Sequence, residues 1–371
     1  MPLVKLDENL YILELFHGPT LSFKDFGARF MARAMSYYAS NSEHRISNRK
    51  GLNIIVATSG DTGGAVASGF YGLSNIKVFV LYPSRRVSEL QEKQIATLGK
   101  NVVALEVKGD FDDCQRLAKA VLADPKLRSK INLSSANSIN IGRLLPQMFY
   151  YFLGHAQYLG LRKSYGLAKS LDRPVFVVPS GNFGNLTAGL FAERVGLPIG
   201  KFIAAVNTNS GVPEYLRSGK LKVKKTRPTL SSAMDVGNPS NWARIMDLYG
   251  GRRDAIKGDI DAIAVSDAET KKTIRDIYKK FGYIIDPHTA VGVAAALRTK
   301  ISGPKIVLAT AYPAKFKEVV ESAIGKKIPL PPQLARRAGF EFCSPKIQKK
   351  KKQSIVIEPK KEELHKILLN R

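Results

Sequence analysis

The chain has 371 residues, 44% of them hydrophobic, and its 58 Lys and Arg against 31 Asp and Glu give a formal charge of +27. That length corresponds to about two domains, and nothing approaches the roughly 18 unbroken apolar residues of a membrane helix. Met1–Leu10 lacks the cationic start and apolar block of a secretory leader, and the two cysteines, Cys114 and Cys343, stand far apart. With five scattered histidines, they argue against a disulfide framework and a structural zinc site, and for a cytoplasmic protein with no metal.

Short apolar, β-branched runs predict strands at Asn53–Ala57, Val78–Tyr82, Val102–Val107, Val175–Val178, Phe202–Val206 and Lys305–Ala309. None alternates, which is the pattern of parallel strands covered on both faces. Helical patterns fall between them at Gly64–Tyr71, Glu89–Leu98, Asp112–Leu122, Arg143–Leu159, Leu186–Val195, Ala268–Phe281, Ala290–Lys300 and Lys317–Ile324. The alternation predicts an α/β protein with two open, mostly parallel sheets flanked by helices. Leu161–Arg173, polar and basic, reads as the joint between two lobes, and Gly211–Asn241 as a long surface excursion. The expected division is a smaller lobe at 30–160, a larger lobe made of 1–29 and 161–335, and a flexible basic tail at 336–371.

The positive charge raises two readings, a nucleic-acid binder or an enzyme of anionic ligands. From Ser344 onward the tail holds nine Lys and Arg against three Glu, so most of the excess is dispersed elsewhere. No zinc-finger spacing, RNA-binding signature or leucine heptad accompanies the Lys349–Lys352 run.

Polar turns follow three of the apolar strands, where open α/β sheets place their ligands. They are Thr58-Ser59-Gly60-Asp61-Thr62-Gly63-Gly64, Pro179-Ser180-Gly181-Asn182-Phe183-Gly184-Asn185 and Ala309-Thr310-Ala311-Tyr312-Pro313. In the second, Gly181 and Gly184 permit positive φ and close backbone approach. The helix that follows aims unpaired N–H groups at the turn, a cradle suited to phosphate. Taken alone, such a loop also reads as a helix cap that needs glycine. Neither a GxGxxG fingerprint nor a GxxxxGK[ST] loop is present, which argues against nicotinamide and nucleoside-triphosphate ligands. Near the start, Lys24 stands among Phe23, Phe26 and Phe30. If buried there, it is disfavoured as an ammonium and favoured as a nucleophilic amine; taken alone it also reads as a lysine whose stem runs along apolar surface to water.

Five segments, ELFHGPTLSFKDF (Glu14–Phe26), TSGDTG (Thr58–Gly63), SANSINIGR (Ser135–Arg143), PSGNFGN (Pro179–Asn185) and ATAYPAKF (Ala309–Phe316), resemble threonine synthase in order and spacing. The resemblance spans roughly Leu10 to Leu330. It implies a pyridoxal 5'-phosphate (PLP) enzyme of fold type II, like the tryptophan synthase β chain, that converts O-phospho-L-homoserine and water to L-threonine and phosphate.

By that resemblance Lys24 matches the Schiff-base lysine, which also moves the substrate protons. Gly181, Asn182, Phe183, Gly184 and Asn185 match the cofactor-phosphate loop, and Thr310 matches the hydroxyl that faces the pyridine nitrogen. Ser59, Gly60, Asp61 and Thr62 match the grip on the substrate carboxylate; Asn137, Ser138 and Arg143 match a substrate-phosphate clamp. For Arg143 the guanidinium fork suits oxyanions, though alone it also reads as an ordinary helix arginine. His17 and His288 are expected to be structural, and the Asp286-Pro287-His288 run has no assigned role.

The chain departs from the pattern in three places. Members of the family carry several dozen residues before the ELFHGPT-like segment, whose absence would leave an apolar face open. Tyr312 stands where the bacterial enzymes generally have His, and the basic tail matches no family feature. The rival readings are a related phospholyase that yields 2-oxobutyrate, and a basic nucleic-acid-binding protein on an inactive scaffold. The sole partner expected is the small-molecule substrate; neither a membrane nor a nucleic acid is.

Overall fold

A computed structural model describes residues 1–40, 51–164, 166, 173–221, 224–331 and 353–370. Its strands are β1 (Leu3–Asp7), β2 (Leu10–Glu14), β3 (Leu52–Ala57), β4 (Ile76–Pro83), β5 (Val102–Val107), β6 (Leu133–Ser135), β7 (Val175–Pro179), β8 (Lys201–Val206), β9 (Ile260–Ala264), β10 (Lys305–Ala309) and β11 (Ser354–Ile357). They form a six-stranded sheet, β1-β2-β10-β7-β8-β9, and a five-stranded sheet, β11-β5-β4-β3-β6. Every pairing is parallel except β1 with β2. All the strands expected from apolar runs are present.

The chain divides into one unit of Met1–His17, Leu21–Phe23 and Leu144–Pro329, and another of Gly18–Thr20, Lys24–Arg143 and Leu330–Arg371. These bounds correct the expected lobes. Residues 24–29 belong with the smaller sheet and residues 144–160 with the larger one. Of Leu161–Arg173, expected as the joint between the lobes, residues 161–164 end the helix Met148–Ser164, and its described residues all lie inside the first unit.

In the smaller sheet the two faces of each strand are buried separately. Ile54, Val56, Val78 and Val80 pack with Met31, Phe70 and Ile95. Ile55, Phe79, Leu81 and Leu105 pack with Cys114, Leu117, Leu364 and Leu368 on the other face. This period-two division of a continuous apolar run is what a doubly covered strand requires. The last two residues correct the flexible tail: β11 adds to the edge of β5 in register Ser354 with Ala104 through Ile357 with Val107. The helix Lys361–Asn370 then buries Leu364 and Leu368. The Lys349–Lys352 run lies outside the described residues.

The larger sheet is covered by Met148–Ser164, Gly184–Arg194, Asp267–Phe281, Pro287–Arg298 and Lys317–Ile324, and all of β7 is buried. The Gly211–Asn241 excursion contains a helix, Gly211–Ser218, and a 3₁₀ turn, Ser232–Met234. On Met148–Ser164, Phe149 and Leu153 face solvent. Among the described residues no helix is long and apolar enough to cross a membrane.

Candidate active-site residues

In the smaller-sheet unit, Lys24 opens the helix Lys24–Ser40. Its neighbour Asp25 is buried and fixes the entry: Thr20 donates to it through its backbone N–H (2.8 Å) and its hydroxyl (2.6 Å). A Cβ on Gly18 would stand 2.4 Å from Asp25 Oδ2, so the Gly18-Pro19-Thr20 turn tolerates nothing larger. Phe23 and Phe26 are half-buried, but Phe30 is 48% exposed. Lys24 is thus enclosed by less aromatic surface than its three neighbouring phenylalanines suggested. Its Nζ instead lies 3.8 Å from Asp61 Oδ2, with the two side chains 15% and 2% exposed.

Asp61 begins the helix Asp61–Phe70, whose N-cap, Gly60, has φ 134° and makes no side-chain cap. Thr58 Oγ1 organises the turn by accepting from the N–H groups of Gly60 (2.9 Å) and Gly63 (2.8 Å). Gln91 Nε2 donates to Asp61 Oδ1 (3.0 Å), and a Cβ on Gly60 would strike the Gln91 amide at 2.4 Å. Sequence reasoning passed over Gln91, although its signal was present. Ser88 and Gln91 form a reciprocal capping box on the helix Glu89–Ala96, the S-x-x-Q pattern of a helix start. That box fixes the backbone from which Gln91 reaches Asp61.

Asn137 pairs with β3 as a strand would. Its Nδ2 donates to the Ala57 carbonyl (2.7 Å) and its Oδ1 accepts from the Ala57 N–H (3.1 Å). It therefore braces the turn that carries Ser138 beside the Thr58 loop. Arg143 is buried, and its Nη1 donates to the Ala136 carbonyl (2.6 Å). A guanidinium expected to face a ligand thus also ties down the Ala136–Asn137 segment.

In the larger-sheet unit, Gly181–Asn185 connects β7 to the helix Gly184–Arg194. Neither Gly181 nor Gly184 takes a positive φ; Phe183 does, at 60°, which corrects the expected role of the glycines. A phenylalanine is strained there, and packing holds it, edge to face with Trp242 at 5.4 Å between centroids. Gly181 is needed for proximity, since a Cβ on it would lie 2.6 Å from Met234 Cα. Asn182 is held from outside the turn, its Oδ1 accepting from the Ser240 N–H (2.5 Å) and its carbonyl from Asn241 Nδ2 (3.1 Å).

Phe183 is the N-cap of this helix and supplies no side-chain cap, so the first-turn N–H groups look into the turn. Asn185, buried in that first turn, has a fixed amide orientation. Tyr150 Oη (2.6 Å) and Tyr151 Oη (2.8 Å) both donate toward its Oδ1. Burial holds the Tyr151 phenol well above its ordinary range, so it remains a donor. The Asn185 Nδ2 has no hydrogen-bond partner among the described residues. A buried donor without an acceptor costs about 1–3 kcal/mol. Such a donor is open to a ligand oxygen, and neither tyrosine was anticipated.

Thr310 follows β10 and is buried; its carbonyl accepts from the Phe23 N–H (2.9 Å). Tyr312, in place of the family His, packs edge to face on Phe16 at 5.4 Å. Nearby, Glu14 contacts His17 Nε2 (2.6 Å) and accepts a short hydrogen bond from Tyr283. Asp286 caps the helix Pro287–Arg298 and holds His288 Nδ1 at 2.6 Å; both histidines are hydrogen-bonded, as expected. No group of three or more His, Cys, Asp or Glu among the described residues could hold a metal ion.

These residues suit pyridoxal phosphate. The helix start that no side chain caps, the Gly181 turn that admits no Cβ and the partnerless Asn185 donor fit a phosphate end. The largely buried amine of Lys24 fits an aldehyde.

Comparison with known proteins agrees. Residues 2–311 match the family described as pyridoxal-phosphate dependent enzyme, and residues 289–357 match threonine synthase, C-terminal. The second match takes in β11, so that part of the tail is a family feature after all. The threonine synthase of Haemophilus influenzae is 48% identical over 344 residues, 92% of this chain and 77% of that one. The crystal structure of threonine synthase from Escherichia coli superposes with a TM-score of 0.86 at 42% identity, over 100% of this chain and 80% of that one. PLP-bound threonine synthase from Brucella melitensis gives 0.84 at 34%, with the same coverage.

Proposed function

The chain belongs to the threonine synthase family of pyridoxal-phosphate-dependent enzymes, which convert O-phospho-L-homoserine and water to L-threonine and phosphate on a type II fold, and on that premise we propose which of its residues carry the reaction. The observation that carries the assignment is the buried Asn185 Nδ2, set in a helix start that no side chain caps. Gly181, Asn182, Phe183, Gly184 and Asn185 take the cofactor phosphate, with backbone N–H groups and the Asn185 amide as donors. Thr310 offers a hydroxyl to the ring nitrogen, a neutral partner. Bound there, the cofactor supplies the electron sink for carbanionic charge on the substrate.

With the cofactor bound, Lys24 Nζ would hold its aldehyde. As a free amine the same nitrogen would take the proton from the substrate Cα and serve again in proton transfer at Cβ. Ser59, Gly60 and Thr62 bind the substrate carboxylate at the start of the Asp61–Phe70 helix, which no side chain caps. Asp61, held by Gln91, orients Lys24 rather than contacting an anion, since two carboxylates repel. Ser138 and Arg143 receive the substrate phosphate, with Asn137 bracing their turn. That clamp holds the leaving group at Cγ, and water completes the product at Cβ.

The test is product analysis with O-phospho-L-homoserine and the PLP-loaded chain. Threonine and phosphate in equal amounts support the reading; 2-oxobutyrate and ammonia without threonine overturn it in favour of a phospholyase.

A further inference from the structure

His288 enters none of the steps above, yet it is buried, ordered on both ring nitrogens, and connected to the phosphate loop. Asp286 Oδ2 sits 2.6 Å from Nδ1, and the Ala233 N–H donates to Nε2 (3.1 Å). An amide can only donate, so Nε2 is the lone-pair nitrogen and Nδ1 carries the proton toward Asp286. Asp286 is itself fixed, accepting from the backbone N–H groups of His288 (2.9 Å) and Thr289 (3.1 Å) and from the Thr289 hydroxyl. Phe316 stacks at a tilt on the imidazole, 4.6 Å between centroids, which closes off ring rotation.

Ala233 is the middle residue of the 3₁₀ turn Ser232–Met234. The next residue, Met234, places its Cα, carbonyl carbon and oxygen against the face of Gly181. The path therefore runs Asp286, His288, Ala233, Met234, Gly181, all within the larger-sheet unit. Apart from the peptide bond between Ala233 and Met234, each link is a hydrogen bond or a backbone contact too close for a methyl group.

We propose that His288 is a positioning residue for cofactor binding: its neutral Nε2 holds the Ser232–Met234 turn, whose backbone sets the Gly181 loop in its phosphate-accepting form. This rests on the reading of Gly181–Asn185 as the phosphate site. It explains why a histidine is used with a carboxylate behind it. The carboxylate selects the tautomer that leaves an acceptor facing Ala233.

Two substitutions separate this role from generic packing. In His288→Gln the side-chain oxygen reaches the Nε2 position and keeps the acceptor for Ala233. In His288→Asn the amide keeps the donor toward Asp286 but leaves Ala233 without an acceptor. Both lose the ring, and both are expected to lower the melting temperature similarly. PLP affinity, measured by near-visible absorbance titration, is expected to fall about tenfold in His288→Asn and less than about threefold in His288→Gln, the scale of one hydrogen bond. Inorganic phosphate, as a competitor of PLP, should show the same order.

Equal affinities in the two variants, or wild-type affinity in His288→Asn, overturn the proposal. If wild type binds PLP and Lys24→Ala loses its reducible adduct while the two His288 variants stay equal, only this proposal fails. If wild type binds no PLP, the phosphate-site reading falls and this proposal with it.

Discussion

Lys24 Nζ and Asp61 Oδ2 stand 3.8 Å apart in largely buried surroundings, within ion-pair range but too far for a good hydrogen bond. Asp61 is held by its other oxygen, through Gln91. An amine that must detach and return as a proton carrier benefits from a carboxylate that stays in place when it moves. Gln91 supplies that fixity without adding charge.

Lys24→Ala should therefore lose the borohydride-fixed PLP adduct and lower threonine formation by at least about a thousandfold. Gln91→Ala should retain the adduct but lower kcat by about tenfold, because Asp61 is no longer oriented. An adduct that persists in Lys24→Ala refutes the lysine assignment. An unchanged kcat in Gln91→Ala removes the orienting role.

At the phosphate end, Asn185 is held by two tyrosine hydroxyls so that its Nδ2 faces away from them. Asn185→Ala removes a ligand donor and takes one acceptor from each phenol, leaving Tyr150 with Gln147 Oε1 (3.1 Å) and Tyr151 with the carbonyl of residue 185 (2.9 Å). It should destabilise the chain by about 1–3 kcal/mol and weaken PLP binding about tenfold. Tyr150→Phe removes one hydroxyl and keeps Asn185, so it should affect PLP binding by less than about threefold. A Tyr150→Phe loss as large as that of Asn185→Ala would show that the tyrosine itself is the ligand.

The central strands were legible because each is buried on both faces, so a plain apolar run is all the environment demands. The helix Lys24–Ser40 was not. Its buried residues include Gly27, Ala28, Met31 and Ala32, which are mostly small, while Phe30, Tyr37 and Tyr38 face water; hydrophobic periodicity therefore points the wrong way. The strand at Ser354–Ile357 was obscured by the adjacent lysines. Among the loops, the motifs located the site residues, but backbone conformation was not in the pattern. Nothing in PSGNFGN says that Phe183 rather than a glycine takes the left-handed angle, because Trp242, distant in sequence, is what holds it there. Tyr150 and Tyr151 were likewise invisible as partners, since their roles come from packing and not from spacing. For Gln91 the spacing marks the capping box but not the bond to Asp61.

Asp235 gives a pH test of the Thr229–Asp235 segment. Burial pushes its carboxyl up to about 6, against the donors Thr229 and Asn207, which favour the charged form. The folded chain thus binds the proton more tightly than the unfolded one. The stabilisation is full below about pH 4 and is lost as pH rises through 6. Discounted for partial exposure, the effect is on the order of 1 kcal/mol, or about 2 °C. Asp235→Asn is neutral at every pH, so the melting temperature of wild type minus that of the variant should fall between pH 4 and pH 7. A difference that stays flat over that range rejects the account.

The carboxy-terminal strand and helix yield the last test, through a thiol. Cys114 lies on the face that Leu364 and Leu368 help to cover, and burial pushes its thiol up to about 12, leaving it unreactive. Leu364→Ala should cost about 2–5 kcal/mol, as for a fully buried leucine. Removing residues 353–371 should do more, because it also strips the edge of β5 of its parallel partner. In a Cys343→Ser background, Cys114 should resist alkylation in the full-length chain and label rapidly in the shortened one under the same native conditions. Equal protection in both would mean that β11 and Lys361–Asn370 do not seal this face, and that the helix Phe111–Leu122 shields the thiol unaided.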